Sequence, residues 1–89
     1  MKTVWKYVMP CLATFVIKMP IGAEILTLRK QHGEYCLWVL CDPDAALRAR
    51  TFRLYATGQQ FEADAEMVYI GTNMSDSEDA VMHLFEVLE

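Results

Sequence analysis

Two aspartates frame a proline in Asp42-Pro43-Asp44. Neighbouring carboxylates are the groups that glycosidic and metal-assisted hydrolysis employ. Their simpler reading is one capping aspartate and one solvated side chain, because Asp-Pro also opens helices and turns. A second set follows in Arg50, Arg53, Tyr55, Thr57 and Gly58. On a strand, residues 53, 55 and 57 share a face and present a guanidinium, a phenol and a hydroxyl together. Such a set suits a small anionic ligand of nucleotide type. Arg supplies a bidentate charge, Tyr a stacking surface and Gly58 a close backbone approach. The plain alternative is the polar outer face of an ordinary strand. His83 has no Ser or Cys nucleophile at a recognisable motif position, so it is expected at a sheet edge or contact surface. Cys11, Cys36 and Cys41 make no zinc set with His32 and His83 by any familiar spacing. They are expected as buried thiols acting as small hydrophobes. No catalytic residue, metal or cofactor is expected, and the chain is read as non-enzymatic.

Eighty-nine residues make one domain spanning 1–89. A chain of this size buries only about 60–65% of its unfolded surface, so its stability is marginal. Yet 54% of the residues are apolar and 22% charged, which excludes disorder and leaves apolar surface in excess. Self-association is the usual outlet, so a homo-oligomer is expected. The net charge is −4 and the basic residues are scattered, so a nucleic-acid-binding face is not expected. No apolar run approaches the ~18 residues of a membrane-spanning helix. The odd cysteine count, with no secretory signal read ahead of it, is that of a reducing cytosol.

The elements that must position these residues are short. Pro10, Pro20, Gly22, Gly33, Pro43, Gly58 and Gly71 cut the chain into strand-length pieces, which predicts an all-β sandwich or barrel of six to seven mostly antiparallel strands. Strands are expected over 3–9, 14–19, 23–31, 34–41, 51–57 and 67–73. His32-Gly33 supplies a tight turn. Residues 44–50 are read as one or two helical turns or as a loop. In the fifth strand Phe52, Leu54 and Ala56 should face inward, and Arg53, Tyr55 and Thr57 outward. The last segment fits both templates. Ser75-Asp76-Ser77-Glu78 matches a capping box, with Val81, Leu84, Phe85 and Leu88 on one helical face. The same residues also alternate as a strand.

The stretch CLWVLCDP, from Cys36 to Pro43, is apolar at every position until Asp42. Tyr35, Leu37, Val39 and Cys41 should point one way, and Cys36, Trp38 and Leu40 the other. Both faces must then be dry. One face is core. The other is expected to meet a second copy of the chain, with Tyr35, Leu37, Trp38 and Val39 at the contact.

Several motifs together resemble one family. They are Trp5-Lys6-Tyr7 with Pro10, Met19 to Leu26 (MPIGAEIL), Cys36-Leu37-Trp38 with Asp42-Pro43, Arg50 to Arg53, Thr57-Gly58, Tyr69-Ile70-Gly71-Thr72 and His83 to Glu86. The family consists of short proteins of unknown function encoded by tailed phages and prophages, and the resemblance covers almost the whole chain. It implies a hairpin into a seventh strand over 80–88, although relatives place a glycine in that turn and this chain has none. It also implies a small accessory protein that acts by binding. The expected function is therefore a protein-interaction module that antagonises a host defence component. The alternative is an oligomer that sequesters a nucleotide-type signal. Arg50, Arg53, Tyr55, Thr57, Gly58 and His83 are the candidate ligand or partner residues for either.

Overall fold

The structure is a computed structural model that describes residues 1–75 and 77–88. Seven strands follow one another: β1 (Thr3–Val8), β2 (Thr14–Pro20), β3 (Glu24–Gln31), β4 (Glu34–Cys41), β5 (Leu47–Ala56), β6 (Met67–Met74) and β7 (Val81–Val87). They form two antiparallel sheets, β1-β4-β3 and β2-β5-β7-β6, stacked as a sandwich without closing into a barrel. Among the described residues no helix is long and apolar enough to cross a membrane.

The core follows the alternation. Phe15, Ile17 and Met19 of β2, Leu37, Val39 and Cys41 of β4, Phe52 of β5 and Leu84 of β7 meet between the sheets. Phe15 and Phe52, paired across β2 and β5, stack at 5.4 Å. Met19, Leu37, Val39, Cys41, Phe52 and Leu84 are fully buried. A buried aromatic of this kind contributes about 3–5 kcal/mol against truncation, a large share of a small domain's total.

Two turns show how local chemistry sets register. His32 and Gly33 take φ of 52° and 79°, the doubly left-handed pattern of a two-residue hairpin turn. Gln31 therefore pairs with Glu34, and β3 continues into β4. At Asp42 the helical turns considered for 44–50 do not form. The Asp42 carboxylate accepts the Asp44 amide at 3.0 Å, and its carbonyl accepts the Ala45 amide at 3.1 Å. That closes one turn, and β5 starts at once. Leu47, Arg48 and Ala49 pair with Pro20, Met19 and Lys18. Long-range pairing gives these residues more backbone bonds than one helical turn offers. The last segment is a strand over 81–87, paired on both sides by β5 and β6. Its turn has no glycine, and Glu78 takes the left-handed φ of 61° in that place. Of the acidic run and capping-box pattern read over 75–79, Asp76 lies outside the described residues.

Candidate functional site

The second face of β4 is partly covered from within the chain. Cys36, Trp38 and Leu40 look outward with Val8, Lys6 and Val4 of β1 on one side. Arg29, Thr27 and Glu24 of β3 flank them on the other. The Lys6 ammonium donates to Gln31 Oε1 at 2.9 Å, so its stem bridges β1 and β3 across β4. A long cationic side chain can shield apolar surface in this way while its head stays wet. Cys36 beneath is 1% exposed, whereas Val4 and Val8 remain 50% and 45% exposed and Trp38 and Leu40 are half-buried. No third layer packs on this face among the described residues. Of the four residues expected at a subunit contact, Leu37 and Val39 lie inside the core, out of reach of another chain. Tyr35 points inward as well, and its hydroxyl donates to the Met74 carbonyl at 2.6 Å. Trp38 alone of the four faces outward.

The outer face of the four-stranded sheet gathers most of the other candidates. Arg53, Tyr55 and Thr57 share it, and pairing sets Arg53 beside Phe85 and Tyr55 beside His83. His83 sits between two hydroxyls, with Nε2 at 2.7 Å from Thr57 Oγ1 and Nδ1 at 3.0 Å from Thr72 Oγ1. A neutral imidazole offers one donor and one acceptor, and threonine hydroxyls complement either. Thr72 also meets the Tyr69 hydroxyl at 2.5 Å. Residues 69 and 72 would face opposite sides of a regular strand. A bulge between Tyr69 and Gly71 inserts one residue and turns both to this face, as bulges do. An aromatic row results, with Phe85 set at 60° and 6.0 Å to Tyr55 and at 62° and 5.7 Å to Tyr69.

The connection from β5 to β6 folds over part of this row. The Phe61 ring stacks on Tyr55 at 3.7 Å and 14°. Asp64 Oδ1 accepts from Arg53 Nη1 at 2.8 Å. That hydrogen bond and the guanidinium charge hold the Asp64 carboxyl below the ordinary carboxylate range, and the same bond raises Arg53. Neither Phe61 nor Asp64 stands out in the sequence, because their loop has no periodicity.

Arg50 does not join Arg53. It points between the sheets from the other side of β5, opposite Ile17. Nε and Nη2 grip the Glu86 carboxylate at 2.6 and 2.7 Å, and Nη1 donates to the Ala23 carbonyl at 2.7 Å. A cleft of about 490 Å³ opens beside this pair, with Ile21, Arg48 and Glu66 in its walls. Gly58, at φ 83°, turns the chain out of β5. The Asp42 carboxylate serves its own turn by accepting the Asp44 amide. The thiols of Cys36 and Cys41 are free and buried, whereas Cys11 is free and exposed. Among the described residues no three His, Cys, Asp or Glu side chains gather where they could hold a metal ion.

The fold is thus an antiparallel β-sandwich whose polar and aromatic candidates lie mostly on one sheet face. The chain belongs to the family described as domain of unknown function DUF7352, whose family model matches residues 1–89. No curated protein and no solved structure shows significant similarity to it.

Proposed function

We propose that this chain is a protein-binding module, and that the outer face of β2-β5-β7-β6 is its partner surface. The observation that carries the reading is the row Tyr69–Phe85–Tyr55 with Arg53 at its side. Tyr and Arg are the residue types that dominate binding hot spots, and here they stand on a rigid sheet with few rotamers to lose. Tyr69 is 57% exposed, far more than packing of the sheet requires. The resemblance to phage and prophage proteins supports a host component, in the host cytosol, as the partner. The outer face of β1-β4-β3, with Val4, Val8, Trp38 and Leu40, serves in this reading as the contact between copies of the chain.

A second reading keeps the same residues for a nucleotide-type ligand. Arg53 would hold its phosphate, and its base would stack on Tyr55. The face-on 3.7 Å stack that Phe61 makes there favours a planar ring at that position. One experiment separates the two. Native mass spectrometry of the gently purified chain is compared with that of Tyr69→Ala. A bound protein that disappears with Tyr69→Ala supports the partner surface. An added mass of a few hundred daltons that survives Tyr69→Ala supports the ligand.

A further inference from the structure

We infer that the Arg53–Tyr55 face is a peptide-recognition site occupied in cis by the chain's own loop. The partner segment it takes carries an aromatic residue and, three positions later, a carboxylate. The inference rests on the protein-binding reading above and names the chemistry of the partner.

The loop over 57–66 shows how it is held. Its ends are tied by backbone bonds, from the Gln59 amide to the Ala56 carbonyl and from the Leu88 amide to the Glu66 carbonyl. Between them, among the described residues, the backbone of 60–65 makes no backbone–backbone hydrogen bond to either sheet. Two side chains fasten it to the sheet, Phe61 on Tyr55 and Asp64 on Arg53. Both are poorly buried even when docked, Phe61 being 46% exposed and the Asp64 side chain 59%. Contacts so open to water make a loop that lifts easily. Lifting residues 60–65 frees a stacking ring and a guanidinium together, while the Thr57–His83–Thr72 row lies outside that stretch and stays in place.

The occupant therefore displays the chemistry that the site accepts. Phe61 and Asp64 are one aromatic and one acid in the spacing Phe-x-x-Asp. A tethered segment acts at an effective concentration on the order of millimolar, so a free copy of the same segment competes poorly. A partner segment prevails by adding contacts beyond the loop. Phe85 and the exposed Tyr69 lie in line with Tyr55 to supply them. The loop thus sets a threshold: only segments that reach along the whole aromatic row displace it.

The test uses a fluorescent peptide of sequence 57–66, TGQQFEADAE. Its binding is read by anisotropy against the unmodified chain and against Phe61→Ser/Asp64→Asn, whose own loop cannot dock. The inference predicts saturable binding to the double variant and about tenfold weaker binding to the unmodified chain. Arg53→Ala in the double variant, or the peptide with Phe61→Ser, should abolish it. A double variant that melts cooperatively but does not bind the peptide overturns the inference, as does binding unchanged by Arg53→Ala. Displacement of the peptide by adenosine monophosphate at lower concentration than by unlabelled peptide overturns it in favour of the nucleotide. If the double variant does not fold, replacing 59–65 with a Gly-Ser stretch of equal length puts the same question. Failure here leaves the protein-binding reading to the native-mass comparison, which needs no peptide.

Discussion

Arg50 on β5 and Glu86 on β7 form a two-pronged ion pair, at 2.6 and 2.7 Å, that points between the sheets and not into solvent. Their side chains are 20% and 13% exposed, so water screens the pair only in part. The Ala23 carbonyl takes a third bond from the guanidinium, which ties the start of β3 to the opposite sheet. The pair is a structural clamp at the end of the sandwich. Glu86→Ala leaves the cation half-buried without its counter-charge and should destabilise the fold by about 2–3 kcal/mol. Arg50→Met/Glu86→Leu should recover most of that loss, because a packed apolar pair needs no desolvation of charge. Urea unfolding of the three proteins checks this. Equal losses for the single and double variants would remove the clamp from the account.

Glu78 holds a left-handed backbone where a glycine would be unstrained. Such a conformation costs a residue with a Cβ about 1–2 kcal/mol, and glycine returns part of the gain as unfolded-chain entropy. Glu78→Gly should therefore stabilise the chain by about 0.5–1 kcal/mol, visible as a higher urea midpoint at unchanged slope.

The two faces of β4 predict opposite outcomes for neighbouring substitutions. Val39 is fully buried between the sheets, so Val39→Asp places an unpaired charge in the core and should abolish folding. Trp38 looks outward, so Trp38→Glu should leave a cooperatively melting chain and reduce its mass in solution to that of a monomer. Light scattering with a thermal melt distinguishes the cases. A folded Trp38→Glu chain of unaltered mass would end the self-association proposal.

Asp64 titrates with the loop. Its carboxyl lies below the ordinary value because Arg53 hydrogen-bonds the charged form. A depressed carboxylate lends its stability above the unfolded value, about 3.9, and loses it as the pH falls through the lowered folded value. Loop docking should therefore persist from neutral pH to about pH 4 and weaken only below it. Asp64→Asn should weaken docking at neutral pH to the level that the unmodified chain reaches only in acid, and so flatten the profile. The ring-proton shifts of Phe61, which report its stack on Tyr55, measure both.

Strand positions were legible from sequence wherever a turn residue marked them, as His32-Gly33 did between β3 and β4. Residues 44–50 were not. Asp42-Pro43 starts a turn as readily as a helix, and the choice was made by β2, whose pairing with Leu47, Arg48 and Ala49 no local pattern displays. The inward side of Arg50 was available from parity, since it is in phase with Phe52 and Leu54. Its charge pointed the other way, and its partner Glu86 lies 36 residues distant in sequence. The outward set Arg53, Tyr55 and Thr57 followed from the same parity. Phe61 and Asp64 were invisible because a loop without period carries no signal of what it will touch. Thr72 reaches His83 only through a bulge, and bulges shift the face on which a residue appears.

The central claim is that this chain works by binding another protein. The most direct measurement is the native mass of the protein purified gently from the cells in which it acts. The account predicts an oligomer of the chain carrying the mass of a second protein, released by Tyr69→Ala. A bare monomer, with nothing bound under conditions that keep it folded, would contradict it.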